Sequence, residues 1–191
     1  MELLASGGFA DARVFRRIFD DEFPDVEFVS MGGVNEVEKD GKLIATVLEQ
    51  VLDGIEIFRV IDRDDQSATQ VEERKRAGFR VLSRRHLESY LFDEEVLQLL
   101  CASVNKPEKW PEIAAKKREL LAASRAQGHA HDDMKVIGQS LRVAIGGILG
   151  LTRQGTTTEA FCLDTLAPLV KKGTKVHSEL RSAIFGEPSV L

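Results

Sequence analysis

The sequence predicts an α/β protein: a small parallel sheet of Rossmann-like type with a helical C-terminal extension. Three observations predict it. Strand-like and helix-like stretches alternate through about residue 83. The run IEIFRVID at 55–62 is almost continuously apolar, the pattern of a strand covered on both faces. Beyond residue 84 the patterning turns helical. The expected division is an α/β domain over 1–90 and a helical region over 91–191.

In order, ELLAS reads as a first strand from residue 2, closed by Gly7 and Gly8. A helix from about Asp11 follows, because Val14, Phe15, Ile18 and Phe19 fall on one face. VEFVSMGG at 26–33 is the second strand, ended by Gly32 and Gly33. VNEVEKDGKLIATVLEQVLDG is mostly helical, and IEIFRVID is the third strand. A polar helix over about 67–77 leads through Gly78 to a fourth strand, FRVLS. RRHLESYLFDEEVLQLLCASV is helical, and NKPEKWP is a polar turn. PEIAAKKRELLAASRAQ is an amphipathic helix with Pro111 in its first turn. GHAHDD is a loop, MKVIGQSLRVAIGGILGL another helix, and the last two helices fall near 158–170 and 174–185.

Composition bounds the function. The chain has 191 residues, 43% of them hydrophobic and 30% charged, ordinary values for a soluble globular protein with a core of normal size. A net charge of −5 argues against a polycation that seeks phosphate with its whole surface. Nucleic-acid contact would need a local basic patch or a bridging metal. Cys101 and Cys162 lack metal-ligand spacing and read as buried thiols, which suits a reducing cytoplasm. No apolar run approaches ~18 residues, so no membrane span is expected. The opening MELLASGGFADARVFRR does not read as a secretion signal, and a strand at residue 2 leaves room for a longer parent.

The third strand ends in DRDD, which places Asp62, Asp64 and Asp65 around Arg63. Carboxylates avoid burial unless paired or bound to a cation. An Asp-x-Asp leaving a strand can turn two carboxylates toward one point, and such oxygen ligands suit Mg²⁺ or Mn²⁺. A solvated loop with a helix N-cap at Asp65 or Ser67 explains the same residues. In parallel sheets the crevice outside the carboxyl ends of the strands is where ligands bind.

The order GGFAD, paired glycines, apolar strand, DRDD and then SRRHLESYLFD resembles the TOPRIM domain. The closest likeness is to TOPRIM regions of OLD-family nucleases and of proteins that work beside ABC- or AAA-type ATPases in bacterial defence. GGFAD stands where that family has Glu-Gly-x-x-Asp after strand 1, and Asp62 and Asp64 match its Asp-x-Asp. SRRHLESYLFD is the most specific match, because it fixes Arg85, Glu88, Tyr90 and Leu91 together. The C-terminal AFCLDTLAPLVKKGTKVHSELRSAIFG also resembles the tails of such proteins. The resemblance implies a metal-dependent nuclease, with DNA ahead of RNA as substrate and an ATPase as partner. A homo-oligomer is compatible with it. It implies Asp62, Asp64, Glu88 and Asp11 as holders of Mg²⁺ or Mn²⁺, and Lys135 as an offset to phosphate charge. Arg84 and Arg85 become candidate nucleic-acid contacts. One position departs: the family's strand-1 glutamate falls on Gly7, which has no side chain to carry a proton or bind a metal. A catalytically inactive TOPRIM-like module that binds nucleic acid or an ATPase is therefore the alternative. If another residue compensates, Asp11 or Glu88 is best placed.

Other residues carry weaker signals. Glu88 with Arg84 and Arg85 also reads as a surface helical ion pair. Asp132 reads as an N-cap for the helix after it. His129 and His131 form an HxH that, with Asp132 and Asp133, could ligate zinc, but an exposed loop explains them. AAKKRELLAASR presents a basic face that suits nucleic acid, a partner or water. A flavodoxin-like phosphotransfer enzyme is a third reading, weakened because the first strand ends in Ser6-Gly7 rather than a nucleophilic Asp.

Overall fold

A computed structural model describes residues 2–5, 9–30, 46, 57–152 and 155–186. It is an α/β structure with a parallel sheet. The chain divides into two compact units, Met1–Arg84 with Glu179–Leu191, and Arg85–Ser178.

In the first unit the strands are β1 (Glu2–Ala5), β2 (Glu27–Ser30), β3 (Ile57–Ile61) and β4 (Phe79–Val81). Their order across the sheet is β2-β1-β3-β4, and every pairing is parallel. Helix α1 (Phe9–Phe19) joins β1 to β2, and α2 (Ala68–Arg76) joins β3 to β4. The paired glycines at 7–8 and 32–33, and the helix expected between β2 and β3 apart from Thr46, lie outside the described residues.

The two crossovers cover opposite faces, and the register shows why. Phe28 and Phe58 both register with Leu3, so they share one face. Phe15 and Phe19 of α1 stack on Phe28 at 5.7 and 6.3 Å between ring centroids. Arg59 registers with Phe79 and Ile61 with Val81, which puts these four on the other face. There Val71 of α2 packs on Ile61, Phe79 and Val81. Right-handed crossovers that leave the centre of the sheet in opposite directions must land on opposite faces. The apolar face read for α1 is buried as expected, with Val14, Phe15, Ile18 and Phe19 at 8% exposure or less.

Local chemistry sets the boundaries. Ser67, rather than Asp65, caps α2. Its hydroxyl accepts from Gln70 N at 3.3 Å, and Gln70 Oε1 accepts from Ser67 N at 2.8 Å. This reciprocal pair satisfies two otherwise orphaned donors. Gly78, at φ 83°, makes the turn into β4.

The second unit is helical: α3 (Leu87–Leu91), α4 (Glu94–Ser103), α5 (Trp110–Ala126), α6 (Met134–Leu149) and α7 (Thr158–Phe161). The single helix expected from RRHLESYL onward is two. Asp93 interrupts it because its side chain caps α4 by accepting from Glu95 N at 2.8 Å. Residues 84–86 precede α3 rather than lying in it. Helix α7 continues as a π turn at Cys162–Leu166 and a 3₁₀ turn at Ala167–Leu169, where Pro168 ends regular winding. Tyr90, Phe92, Leu97, Ile113, Leu141, Ile145, Phe161 and Leu166 form the interior, all fully buried. Lys106 and Lys117 donate to Leu149 O and Phe92 O, each at 2.7 Å, and so satisfy carbonyls at helix ends. Both cysteines are buried and free. No helix among the described residues is long and apolar enough to cross a membrane.

The last helix, α8 (Lys175–Phe185), spans the division between the units. Its first turn belongs to the helical unit, where Glu95 accepts from Lys175 N and Val176 N at 3.1 and 3.0 Å. Its remainder belongs to the sheet unit. There Phe185 packs on Phe19 and Phe23, and Glu179 accepts from Ser83 Oγ at 2.6 Å and from Arg84 Nη2 at 2.6 Å. Those contacts hold Lys175–Ser178 with the helical unit and the rest of the helix with the sheet unit.

The Glu179 bonds give a prediction. Glu179→Ala should lower unfolding stability by about 1–2 kcal/mol, because a charge-assisted, half-buried cluster is lost. Glu72→Ala, which removes an exposed pair with Lys75, should change it by less than about 0.5 kcal/mol. Urea denaturation at neutral pH separates the two; equal losses would show that the Glu179 cluster adds nothing beyond a surface pair.

Candidate functional site

The sheet order creates a place for a ligand. From β1 the chain departs toward β2 on one side, and from β3 toward β4 on the other. The two central strands are therefore a topological switch point, the position where parallel α/β sheets commonly bind ligands outside the carboxyl ends of their strands. Asp62 follows β3 directly and is only 7% exposed. Asp64 is exposed and takes a left-handed conformation, φ 45°, which Asp tolerates better than most side chains. The turn closes with Gln66 N donating to Arg63 O at 3.1 Å and Gln66 Nε2 donating to Asp62 O at 3.2 Å. Gln66 Oε1 is buried and has no hydrogen-bond partner among the described residues. Asp11 lies in the first turn of α1, the helix that leaves β1.

These oxygens suit a hard divalent cation in type. Mg²⁺ is commonly held by one or two carboxylates with substrate phosphate and water, and the orphaned Gln66 oxygen would accept from such a water. Among the described residues, no group of three or more His, Cys, Asp or Glu side chains is arranged to hold a metal ion.

A second charged group forms within the helical unit. His86 is 1% exposed and lies between two carboxylates. Its Nε2 is 3.3 Å from Asp133 Oδ1, and its Nδ1 is 3.3 Å from both Ser89 Oγ and Glu88 Oε2. Arg85, 9% exposed, approaches Asp132 at 3.8 Å and Asp133 at 4.0 Å. Asp133 also caps α6 by accepting from Val136 N at 3.2 Å. The cap expected of Asp132 therefore belongs to its neighbour.

Burial is the largest influence on Glu88 and pushes its carboxyl up. The His86 ring and then the Lys135 ammonium oppose it, and together the opposing influences leave Glu88 below the ordinary range. Asp133 is likewise pushed up first by burial. The Val136 amide, His86 and Arg85 outweigh that and lower it. Both sites are acids held ionised by neighbouring donors and charges.

The sequence-predicted residues thus fall into two sets. Asp11, Asp62, Asp64 and Arg84 belong to the sheet unit, and Arg85, Glu88 and Lys135 to the helical unit. Within the second set Lys135 acts on Glu88, while Arg85 faces Asp132 and Asp133. Arg84 is committed to Glu179. The helical pairing of Glu88 with Arg84 and Arg85 gives way to its contact with His86. His131 is 79% exposed and meets Asp132 at 3.9 Å, as an exposed loop histidine would. Sequence reasoning missed His86. Its proximity to Glu88 was visible in RRHLESY, but Asp133, its other neighbour, is too distant along the chain for any local pattern to join them.

Compared with protein-family models, curated proteins and solved structures, the chain matches none.

The lowered acids dictate a pH dependence. Each contributes stability that is complete above its unfolded-state pKa and is lost as pH falls through its lower folded-state value. Unfolding free energy should therefore decline below about pH 5. The pair Glu88→Gln and Asp133→Asn should flatten that decline, with Asn preserving the cap. Denaturation midpoints across acid pH test this. An unchanged decline in the double variant would remove these two carboxylates from the account.

Proposed function

We propose that the chain is a TOPRIM-like module performing metal-dependent phosphodiester hydrolysis on nucleic acid, DNA ahead of RNA, beside an ATPase partner in phage or plasmid defence. The observation that carries this reading is a nearly buried carboxylate, Asp62, at the carboxyl end of β3 where the sheet has its switch point. An acidic rim repels phosphate unless a cation intervenes. Asp62 and Asp64 would hold Mg²⁺ or Mn²⁺, and Asp11, in the first turn of α1, is a further acid of the same unit. A bound ion would neutralise phosphate charge and acidify water. The chain's own part is to place two carboxylates at a strand tip and keep Asp62 away from bulk solvent, where its charge acts more strongly. Within the helical unit, Arg85 faces Asp132 and Asp133, and Lys135 acts on Glu88.

A second reading is favoured by one residue. Gly7 stands where the family resemblance calls for a glutamate, and it supplies no acid or ligand. On that reading the module binds nucleic acid or an ATPase without cleaving.

Incubating purified protein with supercoiled plasmid and Mg²⁺ or Mn²⁺ separates the two. Hydrolysis predicts nicking that Asp62→Ala and Asp64→Ala each reduce by at least about 100-fold, because a metal-holding carboxylate is lost. Nicking that persists in Asp62→Ala would defeat the proposed site. Metal-independent DNA binding without nicking selects the second reading.

A further inference from the structure

Helix α5 sorts its cations into two kinds. Its lysines have partners: Lys116 meets Glu119 at 2.7 Å, and Lys117 donates to Phe92 O at 2.7 Å. Just ahead of the helix, Lys109 meets Glu112 at 3.0 Å. Its arginines at 118 and 125 are exposed, and neither side chain makes an ion pair or hydrogen bond among the described residues. They are two helical turns apart, about 10 Å along the axis, and so lie on one side of the helix. Between and beside them, Leu121, Ala122 and Ala126 make an apolar floor. With His131 they line an open groove of about 560 Å³.

We infer that this groove is a nucleic-acid contact surface that holds the phosphodiester backbone of a single strand. Guanidinium groups match phosphate oxygens bidentately, and unlike ammonium groups they also stack on base faces. The apolar floor suits sugar and base surfaces, while the flanking arginines suit the charge. A chain of net charge −5 repels polyanions as a whole. Among the described residues these two cations have no acidic partner, while the groove's His131 meets Asp132 at 3.9 Å. The arginine side of the groove is therefore a local exception, and complementarity of sign there selects a polyanion. A groove with an apolar floor between two separated arginines fits an extended strand better than a compact anion. The surface belongs wholly to the helical unit and requires neither Asp62 nor a metal, so it holds whether or not the chain cleaves.

The test is fluorescence anisotropy with a fluorescein-labelled oligothymidylate of about 20 nucleotides, in EDTA and across a salt series. EDTA keeps the result separate from hydrolysis. Wild-type protein should bind at low salt. The double variant R118Q/R125Q should bind about tenfold or more weakly, and its log–log salt slope should be shallower by about 1.4, or about 0.7 for each lost phosphate contact. Arg118→Lys with Arg125→Lys should retain most of the slope. K109Q and K116Q, which remove partnered charges, should change affinity less than about twofold. Circular dichroism confirms that the variants fold. The inference is overturned if wild type does not bind, if R118Q/R125Q keeps wild-type affinity and slope, or if a polyglutamate peptide displaces the oligonucleotide at equal charge concentration.

Discussion

The parallel pairing of β1 with β3 governs the sheet unit. These strands are far apart in sequence, yet Glu2 registers with Ile57 and Ala5 with Val60. Once they are neighbours, β2 and β4 can only add outward, and the handedness of the crossovers sends α1 and α2 to opposite faces. The aromatic stack on Phe28 and the aliphatic cluster around Ile61 are packing consequences of that choice. So is the location of Asp62, which directly follows a central strand and is nearly buried. Fold and candidate chemistry therefore rest on the same backbone register.

The helical unit solves a different problem, which is how to keep charge inside a small apolar structure. An isolated buried ion is strongly disfavoured, but one surrounded by donors and opposite charges is tolerated. Arg85 and His86 sit next to acids, and Lys135 acts on Glu88. The lowered acids show that, for those groups, the neighbours outweigh desolvation. These contacts tie the segment before α3 to the loop and cap at the start of α6. Among the described residues of the same unit, Arg118 and Arg125 take part in no such pairing.

Much of this architecture was legible in the residues. Period-2 and period-3.6 patterns reflect which side of an element is dry, and burial is their cause. Hence the apolar stripe of α1, the strand IFRVI and the amphipathic α5 all appear where the periodicity puts them. The break at Asp93 and the cap at Ser67 depended on finer competition. Asp, Asn, Ser and Thr can bond their own backbone, and which one prevails turns on local geometry as much as on residue type.

Composition and pattern alone determined that the chain is α/β, that helices follow the first and third strands, that its cysteines are buried and that acids crowd the end of the third strand. Strand order, the reunion of the final helix with the first unit through Glu179, and the meeting of His86 with Asp133 were decided only by the tertiary structure. The physical reason is range. Backbone preference and hydrophobic period act over a few residues, so they are written along the chain. Pairings between distant segments depend on loop closure, handedness and shared burial, which no short stretch contains.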